Sequence, residues 1–512
     1  MELKNKAVKN QLKEGVILSY IIIFTNVLIG LFFVPYLIKS LGKNEFGLYS
    51  LILSLLGYLG LMDLGFGKTL VRFTSKLNAK GDLAGQYKLF GVCFTLFTFF
   101  GIVVSLLGLI IYFNVDMFLE NSMNFNEIEL IKKMIIVVIF NVCLSFPLGI
   151  FGSVLIAYEK YIFHRSIELT KVIISTLFMV LVLESGYGAL ELVFIIVFSN
   201  ITSLIIKWYY CKTQLNIQVI FKKFDFVLTK EILIFSSFIF LEIIMSLIYW
   251  NTGQIVIGIT IGASAIAVFA VAIQIQRLYM TFSNAISGVF LPKVTAMVVT
   301  NSSKEDISNL FIRVGRIQFL AISYVLFGFI VFGKSFIELW VGETYLDAYR
   351  IILLFIVPLT VPLTQSLGIV ILEARNQMEF RSIVLVVIAL LSLVFQIILA
   401  ETLGIIGIAI SISAGLFLGQ IIIMNIYYQA RQKINIIEFW RQIAKMSICP
   451  VIVTLIWLYL MPLYPVIAVF DLVVGIVIFS AVYLPLFWIF SMNSGERLLL
   501  SSFLINLMYK KK

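Results

Sequence analysis

"GKNEFGLYSLILSLLGYLGLMDLGFGKTLVRF", residues 42–73, decides the fold of this chain. An apolar run begins near Glu45 and ends on Asp63, Lys68 and Arg72. Hydrocarbon about 30 Å thick takes about 20 residues at 1.5 Å each, and this run supplies them. It reads as a membrane-crossing helix that leaves the bilayer at its charged end. Glycines 57, 60, 65 and 67 remove side-chain bulk, which lets a second helix approach or the helix bend. Asp63 at the boundary is suited to pair with a neighbouring cation, while Lys68 and Arg72 reach lipid headgroups or an anion.

The composition extends this reading to the whole chain. Of 512 residues, 61% are hydrophobic and 13% charged, and the mean hydropathy is +1.07. A soluble globular protein does not have this balance. The fold class is an all-α integral membrane protein. About fourteen spans begin near residues 15, 45, 86, 134, 163, 187, 231, 264, 310, 349, 380, 404, 441 and 466. The net charge of +11 would suggest nucleic acid as partner in a soluble chain, but here the location of the cations decides. Counting along the connectors puts about 30 of the Lys and Arg on the side of the N-terminus, Lys207 and Arg316 among them, and about 6 on the other. The positive-inside rule then makes both termini cytoplasmic, and no nucleic acid is expected. The basic, apolar start is too long for a signal peptide and lacks a small-residue cleavage site, so it is read as the first span.

Several chemistries are excluded or disfavoured. Cys93, Cys143, Cys211 and Cys449 stand singly, without CxxC spacing, and His164 is the one histidine, so neither a disulfide framework nor a metal site is expected. "GFGKT" at 65–69 resembles the end of a Walker A loop, but the glycine that motif needs at position 62 is Met62. No connector exceeds about 25 residues, which leaves no outer domain to carry catalytic carboxylates. No enzyme activity and no cofactor are expected, and energy would come from a proton or sodium gradient or from metabolic pull.

Internal repetition organises the spans. "SLGKNEFGLYSLILSL" (40–55) and "TIGASAIAVFAVAIQI" (260–275) align Gly42 with Gly262, Gly47 with Ala267, Tyr49 with Phe269 and Ser50 with Ala270. Units about 220 residues apart with six spans between equivalent points have the same orientation, which makes parallel repeats. The expected division is residues 1–218 (spans 1–6), 219–435 (spans 7–12) and 436–512 (spans 13 and 14 and a cytoplasmic tail).

Charges inside spans are costly and become functional candidates. Glu242 in span 7 and Arg277 in span 8 both fall deep in the core. Arg277 suits a phosphate because guanidinium offers a bidentate fork and keeps its proton; a structural pair with Glu242 is the other reading. Glu168 and Lys171, three apart in span 5, share a face and either neutralise one another or face a cavity. Asn26, Asn251, Gln254, Gln274 and Gln276 are suited to hydrogen-bond a polar cargo or to join helices. Pro358 and Pro362 should kink span 10.

The segment at 42–73, followed by "IVIGITIGASAIAVFAVAIQI" (255–275) and "LPKVTAM" (291–297), resembles the polysaccharide-exporter (Wzx-type) branch of the multidrug/oligosaccharidyl-lipid/polysaccharide (MOP) exporter superfamily. The resemblance extends over essentially the whole chain: fourteen helices, two six-helix lobes in parallel pseudo-repeat with a MATE-like arrangement, and two further C-terminal helices. It implies a bacterial inner-membrane flippase that moves undecaprenyl-pyrophosphate-linked oligosaccharide from the inner to the outer leaflet for O-antigen or capsule assembly. Alternating access of the lobes around helices 1, 2, 7 and 8 would carry the substrate. Its implied partners are the lipid-linked oligosaccharide, membrane lipids, and the polysaccharide polymerase and chain-length machinery. The chain departs from lipid II flippases in having no cation in span 1 between Lys13 and Lys39, so phosphate contact would fall to Arg277 or to Lys68 and Arg72. A lipid II-type flippase, a cation-coupled MATE-like exporter of small molecules using Asp63, Glu168 or Glu242, and a non-transporting membrane enzyme or scaffold of glycan assembly are the alternatives.

Overall fold

The computed structural model describes residues 2–58, 66–79, 81–220, 226–287 and 302–498, with residues 290, 294, 296–298, 300 and 501. Every regular element among them is helical. A backbone inside hydrocarbon must satisfy its own hydrogen bonds, and helices do so within one segment. Among the described residues, twelve helices are long and apolar enough to cross a membrane. Two of these turn a corner at a glycine with positive φ, Gly42 (φ 74°) and Gly404 (φ 60°), where the sequence reading separates span 1 from 2 and span 11 from 12.

We number them α1 (residues 2–41), α2 (residues 43–57 and Phe66–Ala79), α3 (Leu83–Leu119), α4 (Phe125–Ala157), α5 (Tyr161–Glu184), α6 (Ala189–Thr213), α7 (Phe226–Trp250 and Thr252–Thr260) and α8 (Ala263–Ser287). Then follow α9 (Lys304–Val341), α10 (Asp347–Thr364 and Leu367–Arg375), α11 (residues 379–403), α12 (residues 405–430), α13 (Ile436–Leu460) and α14 (Val469–Phe490). The outward faces are apolar: Phe113 is 74% and Phe198 73% exposed, which only a hydrocarbon surrounding makes favourable. This is a multi-pass membrane protein.

The chain forms two compact units. The first comprises residues 1–270 and 385–408, the second 271–384 and 409–512. In the first, polar ties identify which helix ends lie together. Gln11 accepts from the Ile162 amide, and Tyr158 donates to Gln86, on the side of the N-terminus. Tyr36 donates to Glu184, Lys132 pairs with Asp116, and the Ala189 amide donates to Glu45 on the far side. α1, α3 and α5 therefore run one way, and α4 and α6 the other.

The repeat seen in the sequence has a conformational counterpart. Gly262, aligned with Gly42, also has a positive φ (120°), a region costly for residues with a Cβ. Each turn delivers the chain into the start of α2 or α8. Those starts pack together within the first unit: a Cβ on Gly47 would lie 2.0 Å from the Ala263 carbonyl oxygen. Backbone rather than a yielding side chain blocks that space. Gly47→Val is expected to destabilise the protein by about 1–3 kcal/mol through overpacking. An unchanged midpoint of thermal unfolding in detergent would refute this close approach.

In the second unit, α10 remains helical through Pro358 and Pro362 and is interrupted only afterwards, at Gln365 and Ser366. The Ser283 hydroxyl donates to the Leu363 carbonyl beside the interruption (2.9 Å), and Tyr279 bonds Thr360 (2.7 Å). These bonds tie α8 to α10 beside the interruption.

Candidate functional site

Within the first unit, α4, α5 and α6 each contribute polar side chains to an otherwise apolar interior. α5 begins at Tyr161, so Glu168 and Lys171 lie about 10 and 15 Å along it, while Lys207 lies about 9 Å from the end of the antiparallel α6. The three meet. Lys171 Nζ is 2.8 Å from Glu168 Oε2, and Lys207 Nζ bonds Glu168 Oε1. Lys207 is buried, with 5% of its side chain exposed.

The shared face of Glu168 and Lys171 thus does form the pair that their spacing implies, but as part of a triad. The reading of Lys207 as a cation of the N-terminal-side connector is corrected: it lies inside α6. The signal for it was available in its place within the helix, but the partner's place on α5 was not. One carboxylate stands between two ammonium groups, and a buried charge is tolerable only when paired and hydrogen-bonded.

Toward the interior, Lys171 borders a chamber of about 400 Å³ that also touches Leu56 of α2, Asn141, Ser145, Ser175, Ser199 and Asn200. Asn200 Nδ2 donates to Asn141 Oδ1 (3.0 Å) and Ser145 Oγ (2.9 Å), and Ser145 donates to Asn141 Oδ1 (2.9 Å). This closed ring joins α4 to α6. Asn141 and Asn200 were not among the sequence candidates, although each is a lone amide in an apolar run, which is the signal that singled out Asn26 and Asn251.

The stretch at residues 54–58 meets α7 at its interruption. Asn251 is buried and its Nδ2 donates to the Ser54 carbonyl (3.0 Å); a Cβ on Gly57 would lie 1.8 Å from that nitrogen. Tyr58 bonds Thr252 (2.6 Å). Gly57 is small so that Asn251 can reach a carbonyl, which makes Asn251 an interhelical tie. Gln254 is buried beside this join, and its Oε1 has no partner among the described residues.

The remaining candidates are placed as follows. Asn26 is exposed on α1, Glu242 is half-buried on α7, and Arg72 is exposed on α2. Lys68 lies in the second piece of α2, its side chain outside the description, and Asp63 lies outside the described residues. Gln274 is half-buried, Gln276 buried and Arg277 exposed on α8, in the second unit, whereas Glu242 belongs to the first. Among the described residues no three His, Cys, Asp or Glu side chains are grouped to hold a metal.

Comparison with known proteins follows the architecture. A family model described as "Polysaccharide biosynthesis protein" matches residues 12–298. No curated protein matches the chain in sequence. Among solved structures, the lipid II flippase MurJ in an inward closed conformation is 16% identical with a TM-score of 0.73, over 93% of this chain and 98% of that one. A multidrug resistance MATE family transporter of the MOP superfamily, inward-facing, is 14% identical with a TM-score of 0.63, over 81% and 99%. A MOP superfamily transporter from Pyrococcus furiosus gives 13%, 0.57, 83% and 94%. At these identities the likeness is one of fold: the chain has the helical architecture of the MOP transporters.

Proposed function

Since the chain belongs to the polysaccharide biosynthesis protein family, we propose that it is a flippase for polyprenyl-pyrophosphate-linked oligosaccharides. It moves them from the inner to the outer leaflet of the bacterial cytoplasmic membrane for O-antigen or capsule assembly. The observation that carries this reading is the family match over residues 12–298 in a chain with a transporter's helical fold. Cations concentrated on the N-terminal side support cytoplasmic termini. The absence of a large connector between the described helices favours transport over catalysis by the chain. The reading includes delivery of the oligosaccharide to a polymerase and its chain-length partners.

Arg277 is assigned to the pyrophosphate, with Lys68 and Arg72 as further phosphate contacts; Glu242, Gln254 and Gln274 are assigned to the polar lining, and Asn26 with them. Guanidinium is the suitable group because its planar donors match phosphate oxygens and do not lose their proton in a low dielectric. Asp63 is the proposed coupling acid for a proton or sodium gradient.

The test uses purified protein in liposomes containing undecaprenyl-pyrophosphate oligosaccharide. A membrane-impermeant glycosidase reports how much glycan reaches one leaflet, and uptake of a cationic dye under a proton or sodium gradient is followed in parallel. Protein-dependent glycan movement without dye transport is expected, and Arg277→Ala should reduce it at least tenfold while the protein remains inserted. Gradient-driven dye movement alone would replace the flippase by a small-molecule exporter. Wild-type activity in the variant would remove Arg277 from the site.

A further inference from the structure

The charge triad of the first unit is one negative charge short, and a groove beside it opens to hydrocarbon. This groove, about 610 Å³, runs between α5 and α6 along Phe163, Ile174, Phe178, Phe194 and Phe198. Phe178 is 54%, Phe194 52% and Phe198 73% exposed, so its walls face lipid. Lys171 and Ser199 border both the groove and the polar chamber, so the two spaces adjoin at a cation.

We propose that this groove binds an anionic glycerophospholipid, with its phosphodiester at Lys171 and one acyl chain lying along Ile174, Phe178, Phe194 and Phe198. The site is independent of what the protein transports. Glu168 supplies one negative charge to Lys171 and Lys207, and an uncompensated cation in hydrocarbon is costly, so the triad calls for one more anion. A phosphodiester monoanion supplies that charge to the triad.

The cation also lies at a suitable depth. Side chains on a helix lean toward its N-terminus, which brings the Lys171 ammonium level with Glu168, about 10 Å from the start of α5. That is close enough for a headgroup phosphate drawn slightly inward from the leaflet on the N-terminal side. Arg165, one turn before Glu168 and on the same face of α5, adds a further cation on the side of the helix start.

Asn200 Nδ2 is committed to Asn141 and Ser145, and Ser175 donates to the Val172 carbonyl. The groove itself carries Ser166, Thr170, Ser199, Thr202 and Ser203 beside Lys171, and the Ser203 hydroxyl has no partner among the described residues, so hydroxyl donors accompany the ammonium for a phosphate. An anion at that position is continuous with an apolar groove, which selects a lipid over a soluble anion.

The experiment is lipid titration of the delipidated full-length protein in detergent, followed by native mass spectrometry. Phosphatidylglycerol is expected to be retained in preference to phosphatidylcholine, with one tightly held equivalent per chain. Lys171→Gln leaves Glu168 and Lys207 as a neutral pair, so the fold is kept; it should weaken phosphatidylglycerol retention about fivefold, the effect of one cation near a lipid surface. Lys171→Arg should preserve retention, and Ile174→Trp, which fills the groove without altering charge, should reduce it. Equal retention of the two lipids by the wild type would overturn the proposal, as would wild-type retention in both Lys171→Gln and Ile174→Trp. Displacement by millimolar glycerol 3-phosphate would make the site one for a soluble anion. Tighter retention of undecaprenyl pyrophosphate than of phosphatidylglycerol would overturn the phosphodiester assignment.

Discussion

Arg316→Ala is expected to cost about 3–5 kcal/mol of stability, because it leaves a buried carboxylate without its partner. In the second unit, Arg316 Nε donates to Glu496 Oε1 (2.6 Å) and Nη2 to Glu496 Oε2 (2.8 Å) in a two-pronged pair whose side chains are 7% and 5% exposed. Nη1 donates to Gln442 Oε1 (3.1 Å), and Nη2 also reaches the Ser491 carbonyl (3.2 Å). One guanidinium thus joins α9, α13 and the segment that follows α14. Glu496 further accepts from the Asn493 amide (2.9 Å), so its charge is tied to the turn that holds it. Lysine would provide the charge without the fork, and Arg316→Lys should recover only part of the loss. Replacing both partners by methionine should cost much less than either alanine variant, since no charge then remains buried alone. Thermal unfolding in detergent reads all of these; equal midpoints for wild type and Arg316→Ala would refute the latch.

The second large effect is expected at Glu168. Its removal in Glu168→Ala leaves Lys171 and Lys207 facing each other without the carboxylate that both bond. Like charges in a low dielectric repel strongly, and breaking a buried ion pair typically costs about 3–5 kcal/mol. Glu168→Gln retains the shape of the side chain and should lose nearly as much, which separates charge from packing. Combining Glu168→Gln with Lys207→Gln removes the most deeply buried ammonium together with its partner and should restore part of the loss, since Lys171 still lacks its carboxylate. Yield of folded protein and its unfolding midpoint are the measurements. A double variant no better than Glu168→Gln would mean that packing, rather than charge, stabilises this part of α5 and α6.

These residues mark the boundary between what could be read along the chain and what could not. Glu168 and Lys171 are three apart, and helical periodicity alone put them on one face. Lys207 is 36 residues beyond Lys171, and only the packing of α5 against α6 brings its ammonium to the same carboxylate. Arg316 and Glu496 are separated by 180 residues, and sidedness counting treated Arg316 as one more near-side cation. Asn251 was legible as a polar group in an apolar span, but its role required Gly57 and the Ser54 carbonyl to arrive beside it.

The sequence by itself determined that the chain is an all-helical, multi-pass membrane protein with a repeated helix start at Gly42 and Gly262. Those properties are local: apolar length sets each crossing, and glycine permits each turn. The tertiary structure alone decided which intramembrane charges meet, where a polar chamber adjoins an apolar groove, and which glycine yields its space to which neighbour. Such pairings depend on the rotation and register of each helix against others far away in the chain. Hydrophobicity constrains these weakly in a bilayer, where lipid and helix surface are equally apolar, and they are selected by close packing and buried hydrogen bonds.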